Sequence, residues 1–238
     1  MAKSKKKGKT GVQKKQSTNS KWLFWTIGIV SVVVLAFIIF GNINKGSEQA
    51  DISYENQPFL GEEDAPVEVI EFGDYKCPHC KEFNNTFFQL IDQDYIQTGK
   101  VKFYFMNYAF INVDSTRSAQ FAETVYKELG NDTFWKFHKL LYEKQPDSAG
   151  AETQDIFTDQ FLQDTLGEIV NEEDVQKVVK AYENEEFKEA FRQDMSYAKK
   201  LNVSGTPALF VDGKPFEGST AEDFDKMVKE AAEKKGQE

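Results

Sequence analysis

Residues 67–80 read VEVIEFGDYKCPHC, an apolar run followed by two closely spaced cysteines. The first six residues favour an interior strand, because Val, Ile and Phe are enriched in strands buried on both faces. Helical periodicity follows over residues 78–98, and Gly99 predicts the end of that helix. Residues 101–106 (VKFYFM) predict a second strand. The order strand–helix–strand favours two parallel strands joined by a right-handed crossover.

The chain has two cysteines, Cys77 and Cys80, and both stand where the first strand passes into this helix. Cys77 falls at the N-cap, and Pro78 falls at the first helical position, where its missing N–H costs nothing. A thiolate at Cys77 would face unpaired backbone N–H groups and the positive end of the helix dipole. His79 would add a donor and, when protonated, a positive charge. These influences lower the pKa of a cysteine from about 8.5 towards the range of reactive thiols, about 3.5–7.5.

Three kinds of site can be built on such a pair of cysteines. A structural zinc site needs four ligands, and the chain offers only two Cys and two His, so no metal is expected. A structural disulfide suits an oxidising compartment, yet closing so short a loop stabilises a fold by only roughly 2 kcal/mol. An exchangeable dithiol–disulfide accounts for the position, the proline and the histidine together, and is the interpretation favoured here.

A helical block and a β-hairpin follow. Apolar residues recur at helical spacing over residues 114–201, which predicts a helical insertion packed through these residues. His138 lies in one of these stripes and is predicted to pack or to face solvent rather than to catalyse. Residues 208–216 predict a hairpin with a tight Asp212-Gly213 turn. Ser219-Thr220-Ala221-Glu222 has the spacing of a capping box that opens a last helix.

The N-terminal part predicts a membrane anchor. Residues 1–21 hold eight lysines and no acid, and residues 22–40 (WLFWTIGIVSVVVLAFIIF) carry no charge. A helix of this length spans roughly 28 Å, close to the ~30 Å hydrocarbon core of a bilayer. The excess of lysine before the segment places the N-terminus in the cytoplasm and the rest outside, and a retained anchor is favoured over a cleaved signal peptide. Residues 41–57 predict a linker, which leaves residues 58–238 as the folded domain.

The balance of charge excludes one class of partner. The chain carries 29 basic and 39 acidic residues, and without the eight N-terminal lysines the balance is 21 against 39, or −18. A surface of that charge repels phosphates, so nucleic-acid binding by the folded part is not expected. The acids of residues 143–194 lack EF-hand spacing and predict a solvated face rather than a cation site.

These features together resemble the thioredoxin superfamily, and within it the DsbA-like thiol:disulfide oxidoreductases. The resemblance rests on Glu71-Phe72, the Cys77-Pro78-His79-Cys80 tetrad, a helical insertion, and Gly205-Thr206-Pro207 ahead of a strand and hairpin. It covers roughly residues 57–235, and the anchored, acidic, two-cysteine layout is similar to BdbD-type members of Gram-positive bacteria. It implies an α/β thioredoxin fold, with the helical insertion between the βαβ and ββα halves and a transmembrane helix at the N-terminus.

The resemblance also implies roles for individual residues. Cys77 would be exposed, with Cys80 buried behind it. Pro207 would be a cis-proline beside the disulfide, and Thr206 would offer its backbone to an extended substrate peptide. Glu71 would accept and deliver the proton of the buried cysteine. Alternation along the strand points Glu71 to the side of its apolar neighbours, where its carboxyl is either an exposed strand-end group or a buried one with a raised pKa.

The expected function is that of an extracytoplasmic dithiol oxidase. It would introduce disulfide bonds into unfolded exported proteins with free thiols, by dithiol–disulfide exchange at Cys77 and Cys80. The redox-active disulfide would stand in place of any cofactor. The family uses a quinone-linked membrane partner, so a DsbB-like oxidoreductase is expected to reoxidise the pair. Two alternatives stay open: a disulfide reductase or isomerase on the same fold, and a non-catalytic membrane-tethered binding module.

Overall fold

The computed structural model describes residues 52–236. The predicted basic tail (1–21), the transmembrane anchor (22–40) and most of the predicted linker (41–57) lie outside these residues. Within the described part, no helix is long and apolar enough to cross a membrane.

A mixed sheet forms the centre of the domain. Its strands in the described residues are β1 (Phe59–Leu60), β2 (Val67–Gly73), β3 (Val101–Asn107), β4 (Ala208–Val211) and β5 (Lys214–Pro215). They lie side by side in the order β1-β3-β2-β4-β5. β2 and β3 are parallel, as the sequence predicts, with Val67 opposite Val101 and Gly73 opposite Asn107. β4 is antiparallel to β2, with Phe72 opposite Ala208. The C-terminal end of β2 and the N-terminal end of β4 therefore lie next to each other.

The helices follow the expected order around this sheet. They are α1 (Pro78–Asn85), α2 (Phe87–Ile91), α3 (Val113–Leu129), α4 (Asn131–Lys144), α5 (Asp159–Gly167), α6 (Glu172–Glu183), α7 (Lys188–Lys200) and α8 (Ala221–Lys235). Helices α3 to α7 lie between β3 and β4 in the chain. The α/β thioredoxin fold with a helical insertion is therefore confirmed. Helix α8 is the last element of its second, ββα half.

The insertion packs on the cysteine side of the molecule. Its apolar stripes form one cluster that includes Phe121, Phe134 and Phe137, all fully buried, as their helical spacing predicts. The same cluster contains Cys77 and Cys80. The insertion therefore supplies much of the apolar cover of the two thiols.

The prediction of one continuous helix over residues 78–98 is wrong, because the structure divides this segment. Thr86, with φ −127° and ψ −83°, separates α1 from α2. Its Oγ1 donates to the carbonyl of Glu82 at 2.7 Å, a local bond through which threonine competes with the helix ladder. A π-helical turn, Asp92–Ile96, then completes the segment. Periodicity did not reveal the break, because the apolar stripe stays on the sheet side throughout.

The folded domain starts before the predicted boundary between linker and domain. The ring of Tyr54 lies 4.4 Å from that of Tyr104 on β3. Gln57 Nε2 donates to Asp194 Oδ1 on α7 at 2.8 Å. Residues 52–57 are therefore part of the packed domain. The sequence predicted a linker here because these residues are polar and show no apolar periodicity. In the structure a few specific side-chain contacts hold them against the domain.

A buried polar cluster joins this segment to the sheet and the insertion. Asn107 Nδ2 donates to Glu123 Oε1 at 2.6 Å, and Asn107 N donates to Asp194 Oδ2 at 2.7 Å. Burial raises the pKa of Asp194 to about 6 and raises that of Glu123 well above its ordinary value. Asp194, at the end of the acidic stretch, is thus inside the protein, where the sequence predicted a solvated face.

The second half of the fold agrees with the predicted hairpin. Asp212 and Gly213 both have positive φ, 44° and 74°, as a type I′ turn requires. Helix α8 is capped one residue later than predicted, because Thr220 Oγ1 accepts from Asp223 N at 3.1 Å. Asp223 takes this place because its carboxylate also accepts the N–H groups of Ser219 and Thr220, both at 3.2 Å.

Candidate active site

The loop after β2 places Cys77 at the N-terminus of α1. Cys77 has extended backbone angles, φ −76° and ψ 118°, and Pro78 occupies the first turn of the helix. Cys77 N donates to the carbonyl of Asp74 at 2.9 Å, and its own carbonyl accepts from Lys81 N at 3.2 Å. This is the N-cap geometry that the spacing of Cys77 and Pro78 predicts.

The thiol of Cys77 is stabilised in its ionised form. Its strongest partner is the Cys80 side chain, followed by Thr206 and by the backbone N–H groups of Cys80 and His79, and together these lower the pKa of Cys77 to about 6 although burial opposes them. The uncharged thiol donates from Sγ to the Thr206 carbonyl at 3.2 Å. The sulfur of Cys77 is therefore both a good leaving group and a ready nucleophile.

Cys77 is less accessible than the resemblance implies. It is only 4% exposed, and the expectation of an exposed sulfur is wrong for this arrangement. The physical reason is the loop before β4, whose Thr206 carbonyl lies over the sulfur.

The surroundings of Cys80 have the opposite effect on the pKa of its thiol. It is fully buried. Burial raises the pKa of its thiol well above the ordinary value, and the hydrogen bond to Cys77 and the charges of Glu71 and Cys77 add to the effect. The structure holds both cysteines as free thiols. Of the two sulfurs, Cys77 carries the negative charge and Cys80 the proton.

His79 contributes through its backbone. Its side chain is 79% exposed, and Nδ1 lies 3.9 Å from Glu82 Oε2 on the outer face of α1. The contribution of His79 to the lowered pKa of Cys77 comes from its backbone N–H. The predicted donation and charge from the imidazole are thus replaced by a main-chain contact, because the first turn of α1 carries the ring outwards.

Glu71 lies inside the sheet. It is fully buried on β2, and neither of its carboxyl oxygens has a hydrogen-bond partner among residues 52–236. Burial, with a smaller effect from the charge of Cys77, raises the pKa of this carboxyl well above its ordinary value. Of the two readings of its strand position, the buried one is correct. An uncharged carboxyl here can hold a proton close to Cys80.

A groove lined by both apolar and polar residues runs beside the loop that covers Cys77. The Thr206–Pro207 peptide bond is cis, as the resemblance implies. The groove has a volume of about 690 Å³, and the residues that line it include Phe83, Phe87, Val203, Pro207, Phe210 and Phe216. It is open to solvent, and Ser204, Thr206 and Glu217 add polar groups to its wall.

His138 is hydrogen-bonded to the loop before α1 and to α1 itself. Its Nδ1 is paired with the Tyr75 hydroxyl at 3.1 Å and its Nε2 with Asn84 Oδ1 at 3.2 Å. Asn84 Nδ2 donates in turn to the carbonyl of Cys80 at 3.1 Å. Burial lowers the pKa of His138 to about 3, so its ring is neutral. It is a packing residue, one of the two roles predicted for it.

Sequence reasoning missed Lys76. This residue precedes Cys77 and is buried. Its ammonium donates to the carbonyls of Ala151 and Gln154, both at 2.8 Å, and lies 3.0 Å from Asp114 Oδ2. No pattern in the sequence could have found it, because all three partners are distant along the chain. Lys76 ties the catalytic loop to the insertion.

No group of three or more His, Cys, Asp or Glu side chains suited to a metal ion occurs in the part of the chain that is described.

Comparisons with known proteins agree on this architecture. A family model described as Thioredoxin matches residues 53–230. The probable disulfide bond formation protein D of Bacillus anthracis is 35% identical over 205 residues, which cover 84% of this chain and 89% of that protein. Disulfide bond formation protein D of Bacillus subtilis (strain 168) is 38% identical over 182 residues, 76% of this chain and 78% of that protein. The crystal structure of oxidised BdbD from Bacillus subtilis matches with a TM-score of 0.69 and 35% identity, over 76% of this chain and 96% of that one.

Proposed function

This chain belongs to the thioredoxin superfamily and, within it, to the DsbA-like thiol:disulfide oxidoreductases of the BdbD type, and on that premise we propose that it introduces disulfide bonds into exported proteins outside the cytoplasm. One observation carries the direction of the reaction. The pKa of Cys77 is lowered to about 6, while that of Cys80 is raised. The enzyme therefore favours the state in which Cys77 is a free thiolate.

The proposed reaction has two exchanges. A substrate thiolate attacks Cys77 Sγ, the bond between Cys77 and Cys80 breaks, and its electron pair leaves on Cys80. Glu71 gives its proton to that sulfur. The second thiolate of the substrate then attacks the substrate sulfur of the mixed disulfide and releases Cys77 as a thiolate. The substrate loses two electrons, and the disulfide of the enzyme gains them. No other redox group takes part in the proposed reaction.

The lowered pKa sets a scale for this preference. With a pKa of about 6, about nine tenths of Cys77 is ionised at pH 7, against a few per cent of an ordinary cysteine. This ionisation stabilises the reduced enzyme by about 1.4 kcal/mol, which corresponds to about 30 mV for a two-electron couple. Cys80 stays protonated in the reduced enzyme and adds nothing to this figure at pH 7.

The proposed substrates are unfolded exported chains with free thiols. The aromatic and apolar side chains in the groove beside Pro207 suit a chain that has not yet buried its apolar side chains. A folded protein would not present an extended segment to it. Backbone groups of Thr206 would pair with that segment, and the peptide would bring its cysteine to Cys77.

The location and the membrane partner are part of the same proposal. Residues 22–40 would span the membrane, with the lysines of residues 1–21 in the cytoplasm and the catalytic domain outside. A DsbB-like, quinone-linked membrane oxidoreductase would reoxidise the cysteine pair. A single-span anchor would hold both proteins in one plane and raise their effective concentration.

A trapping variant tests the proposed function. In Cys80→Ala the Cys77 thiolate can attack the disulfide of an oxidised exported protein, which is the reverse of the second exchange, and no Cys80 thiol is present to release the mixed disulfide that forms. We expect this variant to accumulate mixed disulfides with exported proteins in cells, while the wild type shows few. Non-reducing electrophoresis followed by mass spectrometry of the released partners measures this.

The control is the double variant Cys77→Ala/Cys80→Ala, which should trap nothing. An empty Cys80→Ala trap would favour the non-catalytic binding module. A trap filled with cytoplasmic proteins would contradict the location, whereas recovery of a polytopic membrane oxidoreductase would support the proposed partner.

A further inference from the structure

The hydroxyl of Tyr142 is a polar group at the active-site interior that the reaction above does not use. Tyr142 lies on α4 of the insertion and is 1% exposed. Its hydroxyl has no hydrogen-bond partner among the residues described. Burying a hydroxyl without a partner costs roughly 1–3 kcal/mol, and a phenylalanine would fill the same space without that cost.

The hydroxyl reaches the strand that carries Glu71. A Cβ on Gly73 would lie 2.9 Å from Tyr142 Oη and 2.4 Å from a ring carbon of Phe105. Gly73 therefore allows Tyr142 to approach the backbone of β2. Side chains two residues apart on a strand share a face, so Glu71 lies on the face of β2 that Tyr142 approaches. The carboxyl and the phenol therefore lie on the same face of β2, without a hydrogen bond between them in this structure.

Ionisable groups surround this phenol. Burial, together with the charges of Cys80 and Glu71, raises the pKa of Tyr142 well above its ordinary value. The ionisable groups that face it are Cys80, Glu71, Tyr75, Asp74 and His138. A phenol that holds its proton this firmly serves as a hydrogen-bond donor rather than as an acid.

We propose that Tyr142 is a positioning residue for the proton of Cys80, and that its hydroxyl donates to the Glu71 carboxylate when Glu71 has given up its proton. The inference rests on the proton-relay role in the proposed function. When the bond between the two cysteines breaks, the electron pair goes to Cys80, the proton passes from Glu71 to Cys80, and the negative charge moves to Glu71. Tyr142 keeps its own proton throughout and stabilises that charge. Without the hydroxyl, Glu71 holds its proton more tightly and delivers it more slowly.

Tyr75 offers a matched control. It is also 1% exposed, and its ring lies 5.2 Å from that of Tyr142. Its hydroxyl, however, is paired with His138 Nδ1 at 3.1 Å. Tyr75→Phe removes a hydrogen bond that is in use and should lower thermal stability. Tyr142→Phe removes a hydroxyl without a partner and should leave thermal stability unchanged or raise it.

The test is the rate at which dithiothreitol reduces the oxidised full chain, measured by acid quenching and thiol labelling between about pH 5 and about pH 8. The ratio of variant to wild-type rate at each pH cancels the ionisation of dithiothreitol. We expect Tyr142→Phe to be reduced about tenfold more slowly than wild type, since a hydrogen bond to a charged group is lost, with the midpoint of its pH profile displaced upwards. Tyr75→Phe should be reduced at the wild-type rate in spite of its lower stability.

Glu71→Gln separates the outcomes further. In that background Tyr142→Phe should have no additional effect, because the charge that the hydroxyl stabilises no longer forms. An unchanged rate and pH profile for Tyr142→Phe, in an enzyme whose wild type is reduced readily, would overturn this inference alone. Equal slowing of Tyr142→Phe and Tyr75→Phe would overturn it as well. A wild-type disulfide that dithiothreitol does not reduce would overturn the proposed function itself.

Discussion

Lys76→Met is expected to lower the free energy of unfolding by about 3–5 kcal/mol. The ammonium of Lys76 is buried against Asp114 Oδ2 at 3.0 Å and donates to the carbonyls of Ala151 and Gln154. Methionine keeps the length of the side chain but leaves the buried Asp114 carboxylate without its counter-charge and the Gln154 carbonyl without this donor. The Ala151 carbonyl keeps only the N–H of Gln154. Urea unfolding of the reduced full chain in mild detergent measures the loss.

The control for Lys76 is Lys139→Met. Lys139 lies 3.6 Å from Glu143 on the exposed face of α4, and such surface pairs contribute less than about 1 kcal/mol. A similarly small loss for Lys76→Met would contradict the account, and would mean that the catalytic loop keeps its place without the insertion.

Glu71→Gln is expected to make the protein more stable than wild type, and increasingly so as the pH rises. Because the pKa of Glu71 is raised in the folded state, the folded protein keeps a proton that the unfolded chain loses above about pH 4.3. Wild-type stability therefore falls as the pH rises above that value, by about 1.4 kcal/mol per pH unit while Glu71 stays protonated. The advantage of Glu71→Gln should therefore be larger at about pH 7 than at about pH 5.

Urea unfolding at these two pH values tests the expectation, with Glu82→Gln as the control. Glu82 is exposed on α1, so its replacement should change stability by the same small amount at both pH values. A difference between Glu71→Gln and wild type that does not depend on pH would show that the Glu71 carboxyl ionises as it does in the unfolded chain, and would remove it as a proton donor to Cys80.

Glu71 and Cys77 show how far the sequence alone leads. The N-cap position of Cys77 follows from a proline directly after it and a strand directly before it, both of which are local signals. The period of two along β2 predicts which face of the strand carries Glu71, but it leaves open whether the carboxyl is exposed at the strand end or buried. Both residues could be found because the physics that places them acts within a few residues.

The features that the sequence did not predict depend on contacts that are not local. The cover over Cys77 comes from Thr206, the partners of Lys76 lie in the insertion, and the approach of Tyr142 to β2 is visible only through Gly73. Each depends on contacts between residues far apart in the chain. The outward direction of the His79 ring is likewise set by the turn of α1, which the tetrad alone does not specify.

The choice between oxidase and reductase on this fold rests on the reduction potential. Strong oxidants of the DsbA kind have potentials near about −120 mV, and thioredoxin, a reductant, has one near about −270 mV. The stabilised thiolate of Cys77 moves the potential towards the first value. It does so because every interaction that favours the thiolate favours the reduced enzyme, and so the transfer of the disulfide to a substrate.

The most direct test of the account is a titration of Cys77 in the reduced full chain, followed by the ultraviolet absorbance of the thiolate with the oxidised protein as reference. Cys80 does not interfere, because its pKa is raised. We expect one thiol to ionise with a midpoint near pH 6. A single transition near about pH 8.5, the value of an ordinary cysteine, would show that the N-terminus of α1 does not stabilise the thiolate, and the assignment of this site to disulfide formation would fail with it.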